Sequence, residues 1–167
     1  MPRITVPLSG PGIGEAIRAL TAYRDRVEAQ TREVVYLLLE QGGLDVQDRF
    51  AAAEYLWPHD AVVTLENREG GGAIVASGSS VPFIEFGAGA TYGDGHPLAG
   101  DFGFGPGTYN PSSDNWMKPD GWYLPKDVQI ATGWRKSLGN IPNMPLYNTA
   151  QDLRDDAPRI VREVFGR

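Results

Sequence analysis

The chain has 167 residues with 21 acidic and 15 basic side chains, a formal net charge of -6, and no cysteine. Its length suits one domain with a buried core, and its acidic balance argues against tight binding to nucleic acid or anionic membrane, because Lys and Arg supply most of the affinity for phosphate. Without cysteine there are no disulfides, thiol nucleophiles or thiolate metal sites, so packing, oligomerisation or both must hold the fold.

The segment Met1-Pro2-Arg3-Ile4-Thr5 lacks the apolar core of a signal peptide, and the longest apolar run, Val34 to Leu39, is too short to span a bilayer. A cytoplasm is the expected location, unless the chain leaves inside something larger. From Ile13 to Gln41, apolar residues recur at Ile13, Ile17, Leu20, Val27, Val34 and Leu38, with Arg24 and Thr31 in the gaps. These steps of three and four predict one long amphipathic helix over 13–41, stopped by Gly42-Gly43. At 1.5 Å per residue it is roughly 43 Å long, more than one small sheet can cover, so part of its face is expected to pack on another subunit, the alternative being a long helix buried within a monomer.

A sheet region is expected over 44–86. Leu44 to Phe50 comes first, then two β-branched segments, Ala61 to Glu66 and Ala73 to Ser77, joined by a hairpin connection over Asn67 to Gly72. Val81 to Phe86 fits either a further strand or a short helical turn. The residues from Gly87 to Pro125 are rich in glycine, proline and aromatics and show no period. Such a long loop is usually functional or disordered, and its aromatics favour a surface that orders against a partner. Gly121-Trp122-Tyr123-Leu124 reads as an edge strand ended by Pro125. A closing helix over 145–165 places Leu146, Ala150, Leu153, Ala157, Val161 and Val164 on one face. Pro158 is expected to kink it, or to start a second helix capped by Asp155 or Asp156.

Catalytic patterns are weak throughout. Gly87-Ala88-Gly89 lacks the third glycine of a dinucleotide fingerprint, since that position is Tyr92, and Gly93 to Pro97 cannot open a helix. The glycines read instead as a tight turn with positive φ. His59 reads as a turn residue beside Pro58, and Ser77-Gly78-Ser79-Ser80 lacks the glycine frame of a nucleophile elbow. Asp94, His96 and Asp101 match no metal-ligand spacing and read as solvated loop groups. Glu85 with Asp94, Asp101, Asp114 or Asp120 is a conceivable glycosidase pair, with Trp116, Trp122 and Tyr123 to stack on sugars, but 21 acidic residues supply such pairs by chance.

Several segments together resemble a known family. They are Val75-Ala76-Ser77-Gly78, Val81-Pro82-Phe83-Ile84-Glu85-Phe86-Gly87-Ala88-Gly89, His96-Pro97-Leu98-Ala99-Gly100, Gly107-Thr108-Tyr109, and Gly139-Asn140-Ile141-Pro142-Asn143-Met144-Pro145-Leu146-Tyr147-Asn148 before the closing helix. They are similar to the HK-97-type tail-component family of long-tailed bacteriophages and prophages, most specifically in Glu-Phe-Gly-x-Gly and the Pro-x-x-Pro before the last helix. Ala88 stands where a threonine is frequent in that family.

The resemblance implies an α+β subunit, a small antiparallel sheet flanked by N- and C-terminal helices, in a ring at the head–tail junction of the virion. It implies no catalytic residues, cofactor or metal. The expected partners are further copies of the chain and other connector and tail proteins, with genome DNA passing nearby unbound and no membrane. Phe86, Gly87, Gly89, Tyr92, Phe102, Phe104, Tyr109, Trp116, Trp122 and Tyr123 are expected to make the assembly contacts. The alternatives are a tail-associated glycan-binding or peptidoglycan-cleaving protein, and a minor capsid protein.

Overall fold

The helix α1 spans Gly10–Ala51, 42 residues or about 63 Å, in a computed structural model that describes residues 10–55, 58–68, 70–87, 95–103, 117–118, 121–124, 135–137 and 140–166. It does not stop at Gly42-Gly43. Leu44 to Phe50, expected within the sheet region, forms its last turns. The two glycines are sites of close approach. A Cβ on Gly42 would lie 2.6 Å from Ile74 Cδ1 and from Leu153 Cδ1, and one on Gly43 would lie 2.7 Å from Leu65 Cδ2. Their low helix propensity, about 1 kcal/mol each against alanine, is offset by bringing a sheet and a second helix close to the α1 backbone.

The sheet on this surface is the hairpin of β1, Val62–Arg68, and β2, Gly71–Ser77, antiparallel from Val62 opposite Ser77 to Arg68 opposite Gly71. Its turn carries Gly70 at φ 76, a left-handed conformation that glycine adopts without strain. The helix α2, Val81–Phe86, follows directly, so this segment is helical and not a further strand. Helix α3 spans Pro145–Phe165 with Pro158 inside it, as one helix rather than two. The fold is therefore α+β, a small two-stranded antiparallel sheet flanked by long N- and C-terminal helices.

Helices α1 and α3 run antiparallel. Gln30 Nε2 donates to the Val164 carbonyl, Gln41 Nε2 to Asp156 Oδ2, and Arg49 pairs with Asp152 as well as with Asp45. Two clusters lie along this seam. Val46, Phe50, Val81 and Ile84 are buried where α1, α2 and the hairpin meet, with Leu146 of α3 against them. Val34 packs with Ile160 and Val164 further toward the α1 N-terminus.

A second sheet comprises β3 (Met117–Lys118), β4 (Gly121–Leu124) and β5 (Arg135–Ser137) in the order β3-β4-β5. Strand β4, expected at an edge, is central. It pairs through Trp122 with both Met117 and Ser137. Among the described residues, no helix is long and apolar enough to cross a membrane.

Candidate functional site

The site is built around the C-terminal end of α2. Asp60 organises the start of that helix: its carboxylate accepts hydrogen bonds from the hydroxyl and backbone N–H groups of Ser80 and Ser79. These bonds, the Ser80 hydroxyl's foremost, hold the Asp60 carboxyl well below the usual carboxylate range. Ser77 to Ser80 thus serves as an anchored turn. Pro82 fits the first turn of α2, where its missing N–H has no intrahelical partner to lose.

With its start fixed, α2 turns Ile84 and Glu85 inward, both nearly inaccessible to solvent. Its last carbonyls are taken up from another part of the chain. The Asn143 N–H donates to the Ile84 carbonyl at 2.8 Å, and Asn140 Nδ2 donates to the Phe83 carbonyl at 3.0 Å. Asn143 also bonds both the N–H and the carbonyl of Glu54 just past α1. Residues 140–144 are therefore tied between α1 and α2.

Helix α3 begins without a side-chain cap of its own, because the residue before it is Met144, at φ 55. Glu85 takes that role from α2. Its Oε2 accepts the Leu146 N–H and its Oε1 the Tyr147 N–H, both at 2.8 Å. A carboxylate there satisfies two donors of the first turn and meets the positive end of the helix dipole.

The Oε1 atom also lies 3.1 Å from His96 Nε2. The Leu98 N–H points at His96 Nδ1 at 3.0 Å and can only donate. Nδ1 is therefore the acceptor, and in the neutral ring Nε2 carries the proton toward Glu85. His96, expected as a solvated loop group, is buried at 5% exposure with Phe86 and Tyr147 edge-on to its ring. Phe102 stacks on Phe86 with 5.2 Å between centroids and stays exposed.

Glu85 and His96 are thereby committed to structure. Three of the carboxylate's four lone-pair sites are taken by described donors and the group is shielded from solvent, and the two His96 nitrogens are engaged by Glu85 and by the Leu98 N–H. Asp101, the described member of both acidic candidate sets, is exposed. Among the described residues, no group of three metal-ligating side chains occurs. His59 sits half-buried beside the Phe50 ring, with centroids 6.4 Å apart.

Of the expected assembly residues, the structure brings Phe86, Gly87 and Phe102 together around the Glu85 node. Gly87 has φ 72, and a Cβ there would lie 2.7 Å from the Asn140 carbonyl oxygen and 2.8 Å from Pro142 N. Gly89, Tyr92, Phe104, Tyr109 and Trp116 lie outside the described residues, as do Asp94, Asp114 and Asp120; Trp122 and Tyr123 are described only as backbone of β4.

A second feature bears on function. The N-terminal half of α1 exposes Ile13, Ile17, Leu20 and Tyr23. Sequence periodicity marked the first three as one face, and the apolar residues that continue it, Val34 and Leu38, enter the cluster against α3. No family model, curated protein or solved structure matches this chain.

Proposed function

We propose that this protein is a structural subunit of a tailed-phage or prophage virion, a neck or tail-completion component that assembles as a ring at the head–tail junction. The observation that carries the reading is the apolar face of α1 left in solvent, at 60% exposure for Ile17 and 54% for Leu20. Large apolar side chains grouped on one exposed helix face mark a surface for protein contact. The resemblance in Glu85-Phe86-Gly87 and in the segment before α3 gives that contact its setting.

On this reading the protein is not an enzyme and needs no cofactor. Glu85 and His96 instead hold α2, α3 and the turn at 96–103 in one arrangement, with Phe102 presented outward for a neighbouring subunit or tail protein. The net charge of -6 suits a passage through which DNA slides without being held. Light scattering over a range of concentrations, with negative-stain imaging, tests the proposal in the presence and absence of connector and tail-tube proteins. Rings, or a monomer that forms rings when those proteins are added, are expected. A strict monomer that ignores them and binds cell-wall glycan would overturn it.

A further inference from the structure

The α1 side of the seam with α3 continues past the end of α3. It runs through Ile13, Ile17, Leu20, Arg24, Val27, Thr31, Val34 and Leu38, at strictly alternating steps of four and three. That is a heptad repeat held over 26 residues, the pattern by which one helix keeps a face against another. Val34 and Leu38 already meet a helix, because Ile160 and Val164 of α3 pack there. Beyond them α3 runs out: Gln30 Nε2 donates to the carbonyl of Val164, one residue from the end of that helix. From Gln30 back to Gly10, about 30 Å of α1 carries the same repeat past α3, and Ile13, Ile17 and Leu20 stand exposed on it.

A repeat of 3.5 residues calls for a helix as the occupant, and the two polar positions suit such a seam. Thr31 donates its hydroxyl to the Val27 carbonyl at 2.8 Å, so it brings no unpaired donor. Arg24 keeps its guanidinium in solvent against Asp25 and Glu28, 2.8 and 3.7 Å away. With those pairs intact, only its aliphatic stem need lie in the seam. A single polar core position of this kind fixes the register of a coiled coil.

We infer that the occupant of the exposed seam is the same segment of a second copy of this chain, the two α1 arms pairing antiparallel with Ile17 of each opposite Leu20 of the other. In that register Ile13 lies opposite Arg24 and Gly10 opposite Val27. The overlap, about 26 Å, fits within the free 30 Å and ends before either α3 is reached. Parallel arms would set Arg24 against Arg24 across the seam. They would also bring both α3 helices, which fill the seam from Gln30 onward, to the same end.

The contact rests on the reading of this α1 face as a protein-contact surface, and adds its partner and geometry. It is isologous, so it closes at two copies and leaves the Phe102 surface to other neighbours in a ring.

Two measurements test it. Ile17→Glu places a charge in the apolar seam at an exposed position of the monomer. Circular dichroism should give it the thermal midpoint of the wild-type monomer, and light scattering should show dimerisation at least about tenfold weaker than wild type. The chain has no cysteine, so single cysteines report which positions meet. Under mild oxidation, an equimolar mixture of Ile13→Cys and Arg24→Cys should give a cross-linked dimer. Ile13→Cys alone should give none, because its two copies lie 11 residues, about 16 Å, apart along the seam.

Ile13→Cys cross-linking with itself would mean parallel arms and overturn the inference, as would a mixture that does not cross-link. Rings that form with connector and tail proteins in the absence of any arm-to-arm cross-link would overturn it alone and leave the ring reading in place. A wild-type chain that stays monomeric at every concentration, with those proteins added, removes both.

Discussion

Glu85 Oε1 and His96 Nε2 lie 3.1 Å apart with both side chains almost fully buried, and the same carboxylate caps the first turn of α3. One side chain on a six-residue helix thus joins three separated segments. Its three donors come from His96, Leu146 and Tyr147, so α2, the turn at 96–103 and α3 must come together in a single arrangement. Such a node makes a stable platform for the outward-facing Phe102, whose ring rests on Phe86.

Replacing the carboxylate by its amide tests the node. In Glu85→Gln, the NH₂ group must face either the Leu146 N–H, or the Tyr147 N–H together with the His96 proton. A donor then meets a donor inside the protein, with an expected loss of about 1–3 kcal/mol. Glu85→Ala should cost at least as much, since it leaves the donors without an acceptor. Asp101→Asn, at an exposed position of the same turn region, should stay within about 0.5 kcal/mol of wild type. Urea denaturation of the three variants measures the contrast.

The two glycines of α1 should respond to alanine with opposite signs. At Gly43 the atoms nearest the added methyl all belong to Leu65, which is half exposed and free to swing outward. The gain in helix propensity should then prevail, stabilising by up to about 1 kcal/mol. At Gly42 the methyl meets Ile74 and Leu153 together, both partly buried where the hairpin and α3 converge on α1. Overpacking costs about 1–3 kcal/mol and should outweigh the propensity gain. Thermal midpoints of Gly42→Ala and Gly43→Ala lying on the same side of wild type would contradict this assignment.

Asp60 gives a pH dependence whose sign follows from its environment. The Ser80 and Ser79 hydrogen bonds lower its folded-state pKa below the unfolded value of about 4. A group lowered on folding binds more protons when unfolded, so its contribution is complete above the unfolded pKa and is lost as pH falls through the folded one. Urea midpoints for wild type and Asp60→Asn should therefore differ at neutral pH, in favour of wild type. The gap should begin to narrow below about pH 4 and close further in stronger acid. A gap constant from pH 7 to pH 2 would exclude the role of Asp60 in anchoring the Ser79–Ser80 turn.

What could be read along the chain differed sharply from what needed the folded molecule. The recurrence of Ile13, Ile17, Leu20, Val34 and Leu38 revealed the face of α1, and that of Leu146, Leu153 and Val164 revealed α3, because helical period is a local property; Ala150 and Val161, expected on the same α3 face, are exposed, and Ile160 is buried against Val34 instead. The end of α1 was misplaced since Gly42-Gly43 reads locally as a stop. Its reason for being there, proximity to Ile74 and Leu153, lies more than 30 and 110 residues away. Strand β4 was placed at an edge because Arg135-Lys136-Ser137 carries no strand signal of its own. The burial of His96 depends on Glu85 and Tyr147, which no spacing rule connects to it.

The sharpest single test of the Glu85-Phe86-Gly87 motif is its glycine. Gly87 combines φ 72 with ψ 176, a region that in practice only glycine occupies. A Cβ there would also lie 2.7 Å from the Asn140 carbonyl oxygen and 2.8 Å from Pro142 N. Unlike the contacts at Gly42, these are backbone atoms. They belong to the segment that Asn143 ties to α1 and α2, so it cannot yield as a side chain does. Conformational strain of about 1–3 kcal/mol and the clash act together, and Gly87→Ala should destabilise more than Gly42→Ala. Because the 140–144 segment must shift, the amides bonded across it, notably Asn143 to Ile84, should lose hydrogen-exchange protection before the α1–α3 seam at Val34 and Ile160 does. A Gly87→Ala protein with wild-type stability and unchanged protection at Asn143 would show that the glycine serves no structural purpose at this position.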